Sequence, residues 1–471
     1  MAAIKKVCLQ RAISRLITIL LLILFLPDPS SAMTLQEERE LGEKILQEVK
    51  RRWPMVQEPS VNQYITRLGR EIILSIEPQP FEYQFYIINS TEINAFAVPG
   101  GKVFLNSGLL VLAENEEEVA GVISHEIGHV VARHIAKRSE QGMKLSLATL
   151  GAMLAGMLLG GKAATAIATT SIAASEAVML KYSREDEEEA DYLGLKFMER
   201  TGYDRRGMLT FLKKLRRVQG PASDDPPAYL LTHPLIEERI AALETQMAHF
   251  PKEKEGNRRM GNLQRMQTKL VAEEKDISRS VTFFENCLKR KPDDPECLFG
   301  LGLAQKRMGG LDRAVESFTR AASIAPRDGE VLRELGTAYL LKANIPEARK
   351  YLERARSLIP FDGQTHFYLG RIYLEQKFVD ESLQAFLRAR ELTPGLTEVH
   401  YHLGLAYGEK GMFGRAYQSF GYYYKSMGDF KTALIHFQKA LPYFGENAPE
   451  RQAIQKEIQA LTPKPKEKKP G

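Results

Sequence analysis

The feature that most constrains this chain is a period of 34 residues running through its second half. Pro292, Pro326, Pro360 and Pro394 are 34 residues apart, as are Gly302, Gly336, Gly370 and Gly404. Tyr339, Tyr373 and Tyr407 keep the same step, as do Ala321, Ala355 and Ala389, and the large apolar series Phe318, Leu352, Phe386 and Phe420. Agreement in this many columns excludes chance. A period of this size marks one supersecondary unit copied along the chain, each copy burying its apolar face against its neighbours. The pattern then slips by 17 residues, because Gly421, Tyr424, Gly428, Ala433, Phe437 and Ala440 reproduce it half a step out of phase. The helix around 415–427 is thus shared by two units, and stacking continues through the half step. Residues 447–460 read as a capping helix, and 462–471, TPKPKEKKPG, as a disordered basic tail.

The order Gly–Tyr–Ala–Phe–Ala–Pro at this period resembles the tetratricopeptide repeat, a helix pair stacked into an α-solenoid. The small residues then sit where two helices approach closely. The proline follows the second helix, which it cannot prolong. Cys287 and Cys297 fall on the second helix of the first repeat and the start of the next helix. An oxidising compartment would permit a disulfide between them, but packing as two small apolar side chains is the favoured expectation.

The first half has no such period. Across all 471 residues, 44% hydrophobic and 26% charged are the proportions of ordinary globular protein. They exclude a polytopic membrane protein and global disorder. The net charge of +6 has a local origin: residues 1–32 and the last ten residues each contribute +3, so 33–461 is neutral. No basic stripe is left to bind nucleic acid. The N-terminus reads as a cleavable signal peptide, with Lys5, Lys6, Arg11 and Arg15 ahead of an apolar run from Leu16 to Leu26 and small residues Ser30-Ser31-Ala32 behind it. Eleven apolar residues make about 16 Å of helix, too short for a bilayer of roughly 30 Å. The expected address is the periplasm, with a mature chain from near Met33. Residues 145–161 carry no charge, and the small-residue run continues to 175. It suggests a close-packed helical hairpin, with peripheral membrane contact through 145–175 as the alternative.

Helical spacing covers 35–75, while FEYQFYII at 81–88 and FAVPGGKVFL at 96–105 read as short strands turning at Pro99-Gly100-Gly101. Ser124-His125-Glu126-Ile127-Gly128-His129 then lies within an apolar-periodic helix. Residues four apart differ by about 40° around a helix, so His125 and His129 share a face. Two imidazoles so placed can bind one zinc ion, with Glu126 within reach of its water. A catalytic zinc needs a third protein ligand. The downstream acidic run, Glu185-Asp186-Glu187-Glu188-Glu189-Ala190-Asp191, offers several. Glu187 and Asp191 are again four apart, so one can ligate while the other supports a ligand histidine from behind. On spacing alone Glu185, Glu187, Glu188 and Glu189 compete. His134, five residues past His129, points away from His125 and is expected to be structural. His249, His366, His400, His402 and His436 lack metal-ligand spacing.

INAFAVPGGKVFLNSGLL with EEEVAGVISHEIGHVVARH, within 93–134, resembles the zinc metallopeptidase family containing HtpX and the CAAX prenyl proteases. HExxH followed by ExxAD carries the likeness, which extends over about 40–245. It implies His125, His129 and Glu187 as zinc ligands, Glu126 as the catalytic carboxylate and Asp191 as the residue behind a ligand. His233, in Thr232-His233-Pro234-Leu235, matches a family motif near the active site. It would stabilise the oxyanion, latch the open metal position, or be structural. Unlike HtpX, this chain lacks clear transmembrane helices, and the repeats make it most similar to BepA-type periplasmic proteases.

The expected architecture is mainly α: signal peptide 1–32, a zincin-type α+β metallopeptidase domain over 33–250, a linker at 251–261, repeats with their cap over 262–461, and the tail. The implied function is a periplasmic zinc-dependent metalloendopeptidase that degrades misfolded or misassembled outer-membrane proteins. The 96–105 strand would offer its edge to extended polypeptide substrates. The repeats would recruit substrates or outer-membrane assembly machinery. The alternative is a chaperone or assembly scaffold for β-barrel proteins with little proteolysis.

Overall fold

A computed structural model describes residues 33–140, 182–219, 227–248 and 262–462. The expected signal peptide, the 145–175 stretch, the 251–261 linker, most of the 220–227 loop and the tail past 462 lie outside the described residues. The chain forms two compact units. One takes in the residues up to Gln57 and Asn62–Leu263; the other takes in Glu58–Val61 and Gln264 onward.

In the first unit, α1 (Leu35–Arg52) starts at Thr34, whose hydroxyl accepts the Glu37 N–H while the Glu37 carboxylate accepts the Thr34 N–H. This reciprocal cap satisfies two N–H groups that the helix leaves unpaired. Ile45, Leu46 and Val49 on α1 pack against Ile88, Phe96, Val98 and Phe104 of the sheet. The helix stops at Trp53, because Pro54 disfavours helical geometry in the residue before it. After α2 (Pro59–Leu74) come β1 (Gln84–Ile88), β2 (Ala95–Val98) and β3 (Lys102–Asn106), in the order β1-β3-β2. β3 runs parallel to β1, with Gln84 opposite Lys102, and antiparallel to β2, with Ala95 opposite Leu105. The segment 96–105 turns at Pro99-Gly100-Gly101, so the edge expected of it belongs to two different strands. Those residues fold into a hairpin at Gly100 and Gly101, with β3 interior and β2 an outer strand of the sheet.

The helices that follow are α3 (Ser107–Leu112), α4 (Glu116–Val131), α5 (His134–Glu140), α6 (Arg184–Thr201), α7 (Arg206–Gln219), α8 (Ala228–Thr232) and α9 (Ile236–Ala248). The central one is α4, buried on every face from Glu116 to Val130. Its acidic first turn complements the positive end of the helix, and the buried Glu118 carboxylate is matched by Lys214 of α7 at 2.7 Å. α4 and α6 cross at small residues. A Cβ on Gly128 would lie 2.9 Å from the Ala190 carbonyl oxygen, and one on Gly194 would lie 3.2 Å from the His125 nitrogen.

The second unit is a stack of helices: α10 (Leu263–Ala272), α11 (Ile277–Arg290), α12 (Pro295–Arg307), α13 (Leu311–Ile324), α14 (Gly329–Leu341), α15 (Ile345–Leu358), α16 (Gly363–Glu375), α17 (Val379–Leu392), α18 (Glu398–Glu409), α19 (Phe413–Ser426), α20 (Phe430–Ala440) and α21 (Pro449–Leu461). The periodic glycine of each first helix faces the large apolar residue of its partner, as Gly302 faces Phe318 and Gly370 faces Phe386. The half step has the same construction. Phe420 of α19 meets Gly404 of α18, while Gly421, one residue on, meets Phe437 of α20. α21 caps the stack, burying Ile454 against Ala433 and Phe437.

Cys287 of α11 and Cys297 of α12 form a disulfide, with Cα atoms 6.1 Å apart. This corrects the expectation of two packed thiols. The turn between Arg290 and Pro295 folds the second helix back on the first, and Asp294 caps it by accepting the N–H groups of Glu296 and Cys297, which sets the two sulfurs side by side. Among the described residues, no helix is long and apolar enough to cross a membrane.

The repeats carry their own pH dependence. His402 sits against the rings of Phe367 and Phe386, with centroids at 5.1 and 5.5 Å. Burial, with Arg371 nearby, pushes its imidazolium down to about 4. The unfolded chain, near 6.5, then binds the proton that the folded chain refuses, so stability is full above pH 6.5 and falls as the pH drops towards 4. Denaturant unfolding at pH 7 and pH 5 should show the wild type losing about 1 kcal/mol more than His402→Phe, after allowance for the ring's partial exposure. Equal losses would remove His402 from the account.

Candidate metal centre

The α4–α6 crossing sets the site. His125 and His129 project from one face of α4, with their Nε2 atoms 3.0 Å apart. Glu187, one turn into α6, brings its carboxylate to 3.5 Å from His125 Nε2 and 3.6 Å from His129 Nε2. His233, just past α8, enters from the other side, its Nδ1 3.3 Å from His125 Nε2 and 2.9 Å from Glu187 Oε1. All four side chains are buried, and their ligating atoms lie within 4.8 Å of one another. A tetrahedral ion with bonds of about 2.0–2.1 Å holds its ligand atoms roughly 3.3 Å apart. The observed spacings fall on either side of that value, so the donor set fits a metal ion.

Charge and hydrogen bonding agree. Glu126, Glu187 and Asp191 are all buried, and the buried Arg239 guanidinium contacts Glu187 and Asp191. With the imidazoles neutral, these groups carry a formal −2, which a divalent cation cancels. Burial holds His129 well below its ordinary range, with His125 and His233 adding to the effect, so its ring is neutral and ready to ligate. Burial alone would raise Glu187, but Arg239, His233 and His125 outweigh it and keep the carboxyl ionised. Glu126 is different. Burial pushes its carboxyl up, and among the described residues neither of its oxygens nor Nε2 of His233 makes a hydrogen bond. Those two side chains approach each other at 3.4 Å. Buried polar atoms without partners are rare, and here they converge on the same gap.

Supporting groups orient the ligands. Asp191 Oδ1 lies 2.8 Å from His125 Nδ1, which turns Nε2 of that ring to the centre. His134 is not among the converging atoms, as expected, but it is more than packing. Its Nδ1 lies 2.8 Å from His129 Nδ1, and its Nε2 lies 3.1 Å from Glu189. Glu185 and Glu188 have no place in the cluster. Tyr182 stacks on His129 and Tyr229 on His233, with centroids 3.7 and 4.4 Å apart.

Arg239 escaped the sequence reading although it lies in the stretch singled out for His233. Its Nε and Nη2 bind both oxygens of Asp191 at 2.8 and 2.7 Å, and Nη1 lies 2.7 Å from Glu187. One guanidinium therefore clamps two carboxylates of α6. A signal was present: Arg239 occupies a core position on a helix whose buried face is otherwise Ile240 and Leu243. An arginine there requires buried acids.

Comparison with known proteins agrees with this geometry. Residues 57–247 match peptidase family M48, and 299–363, 333–397 and 414–441 match tetratricopeptide repeats. The chain thus contains an M48 peptidase domain followed by tetratricopeptide repeats. Over 214 residues it is 35% identical to the beta-barrel assembly-enhancing protease of Escherichia coli K12, covering 45% of this chain and 44% of that protein. It is 36% identical over 161 residues to the mitochondrial metalloendopeptidase OMA1 of Arabidopsis thaliana, covering 34% and 31% respectively. The matches span less than half the length of these curated relatives. Among solved structures, the crystal structure of MamA is similar at 23% identity over 33% of this chain and 90% of that one, with a TM-score of 0.30.

The crossing gives a direct prediction. Gly128→Ala places a methyl group against the Ala190 carbonyl and forces α6 outward, so Glu187 retreats from the two histidines. Metal affinity, measured by chelator competition, should fall about tenfold or more while helical circular dichroism is kept. Unchanged affinity would show that the close approach does not set the site.

Proposed function

We propose that this chain is an exported zinc-dependent endopeptidase that cleaves misfolded or misassembled envelope proteins. The observation that carries the reading is Glu126, a buried carboxylate without a hydrogen-bond partner beside a ready set of metal ligands. His125, His129 and Glu187 would hold the zinc ion, which supplies a Lewis acid and a water acidified to about neutral pH. Glu126, raised by burial, would take a proton at its free oxygens and return it to the leaving amine. Asp191 and Arg239 would keep His125 and Glu187 in position. An extended polypeptide would pair with the outer edge of β2, next to a crevice lined by Ala97, Val98, Pro99, His129 and Tyr182.

His233 lies between the metal ligands and Glu126, with one ring nitrogen facing each. That placement supports the latch: the ring fills the space that a substrate carbonyl and a water need, and α8 must shift to free it. Export is supported by the signal-like N-terminus and by the disulfide, which persists in oxidising compartments. The name of the Escherichia coli relative, a beta-barrel assembly-enhancing protease, supports proteolysis at β-barrel assembly, with the repeats recruiting substrates or assembly machinery. A scaffold without proteolysis is the second reading, favoured by the repeat stack itself, but such a protein has no use for Glu126.

Two variants test the reading. Glu126→Gln should bind one zinc ion per chain, as the wild type does, and lose casein cleavage, since all ligands remain but the proton carrier is gone. Retained cleavage would refute the mechanism. His233→Ala should cleave faster than wild type at matched zinc occupancy. A fall of about a hundredfold would instead make His233 a stabiliser of the oxyanion.

A further inference from the structure

The stacking of the repeats changes character between two successive interfaces. Between α13, α14 and α15 the space is apolar and filled, with Val315, Ala322, Tyr339 and Tyr351 packed on the core and Tyr351 stacked on Tyr339 at 5.7 Å. One repeat further on, the residues at the same register are Arg349, Arg356, Tyr373 and Ala385. The tyrosine that fills the first interface is an alanine in the second. Two apolar positions have become arginines. The result is a cavity of about 460 Å³ between α15, α16 and α17. This lies in the ordinary range of ligand pockets, roughly 300–1,000 Å³.

The chemistry of the lining is specific. Leu369 and Ala385 give an apolar floor, and Arg349, Arg356 and Arg388 stand around it with Glu381 as the acid among them. Arg356 pairs with Glu353, a half-buried acid that also accepts a hydrogen bond from the Tyr373 hydroxyl at 2.7 Å, while Arg388 pairs with Glu391, one turn away on its own helix and open to solvent. An exposed pair of the latter kind contributes about 0–1 kcal/mol and exchanges readily. Among the described residues, Arg349 has no carboxylate partner. It reaches the Gln376 side-chain oxygen at 3.3 Å and lies over the Tyr373 ring at 5.5 Å. A guanidinium fork matches a carboxylate through two parallel hydrogen bonds. At the rim Phe361 is 74% exposed and Phe378 45% exposed.

We propose that this cavity binds a peptide carboxylate flanked by an apolar or aromatic side chain, the carboxylate on Arg349 and the apolar group over Leu369 and Ala385. The partner is thus a protein segment that is acidic and apolar together. The carboxylate belongs either to an Asp or Glu side chain or to a chain terminus. The site lies wholly within the repeats and is independent of the metal centre.

The test uses the full chain carrying Glu126→Gln, so that no peptide is consumed, and fluorescence anisotropy with a labelled hexapeptide, Gly-Ser-Glu-Leu-Glu-Phe. Its C-terminal amide and its Gln-for-Glu version separate the two carboxylate sources. The acidic peptide should bind saturably, and removal of one carboxylate type or the other should weaken it. Ala385→Tyr restores the side chain of the preceding repeat and fills the cavity. Arg349→Val does the same for the charge. Each should weaken binding about tenfold or more with an unchanged melting temperature, and either variant alone suffices if the other fails to fold. The proposal is overturned if no peptide binds, if a peptide carrying both changes, Gln for each Glu and a C-terminal amide, binds equally well, or if the folded variants bind like the parent. Competition by inorganic phosphate without peptide binding would also overturn it.

Discussion

The close crossing of α4 and α6 is the constraint on which the first unit depends. Gly128 lies against Ala190, and Gly194 against the backbone of His125, so the two helices approach with almost no side chain between them. At that separation a carboxylate on the first turn of α6 reaches two imidazoles on α4. The crossing also concentrates negative charge among buried groups, with Glu126, Glu187 and Asp191 at most 4% exposed. Desolvation there costs several kcal/mol per ion unless each finds a partner. Arg239 meets that demand by clamping Asp191 and Glu187 together, and a divalent ion would complete the balance. Local backbone sterics thus determine the electrostatics of the site.

The repeats obey a looser rule. Their stability is a sum of unit and nearest-neighbour terms, so one interface can change without undoing the rest. The disulfide between α11 and α12 and the cavity between α15, α16 and α17 are both local departures from the period. Each comes from a substitution in a regular column, and neighbouring contacts of glycine with a large apolar side chain, such as Gly302–Phe318, Gly336–Leu352 and Gly370–Phe386, are intact. This tolerance lets a solenoid acquire a specific site while its framework stays constant.

Much of this was legible in the sequence, for reasons that differ by element. The 34-residue columns reported real contacts, because the small residue and the large one in each repeat touch. The half step at Gly421 was legible for the same reason. HExxH and ExxAD could be placed on helices because ligation needs fixed angular spacing, and that spacing is a sequence property. Arg239 and His134 were not identified as partners, since their roles depend on which element packs behind which. The hairpin at 96–105 was read correctly as a turn between strands, but strand order is a tertiary property, and β3 proved to be interior. The cysteines show the same limit: ten residues of separation fixed neither pairing nor packing until the turn before Pro295 was known.

The central claim is that the crossing assembles a metal site from His125, His129 and Glu187, with His233 closing it at rest. X-ray absorption at the zinc edge of the purified, zinc-loaded full chain tests this most directly. The account predicts only nitrogen and oxygen ligands at about 2.0–2.1 Å, with multiple-scattering features of three imidazoles in the wild type and two in His233→Ala. A sulfur ligand, a six-coordinate hydrated ion, or a spectrum unchanged by the loss of His233 would contradict it.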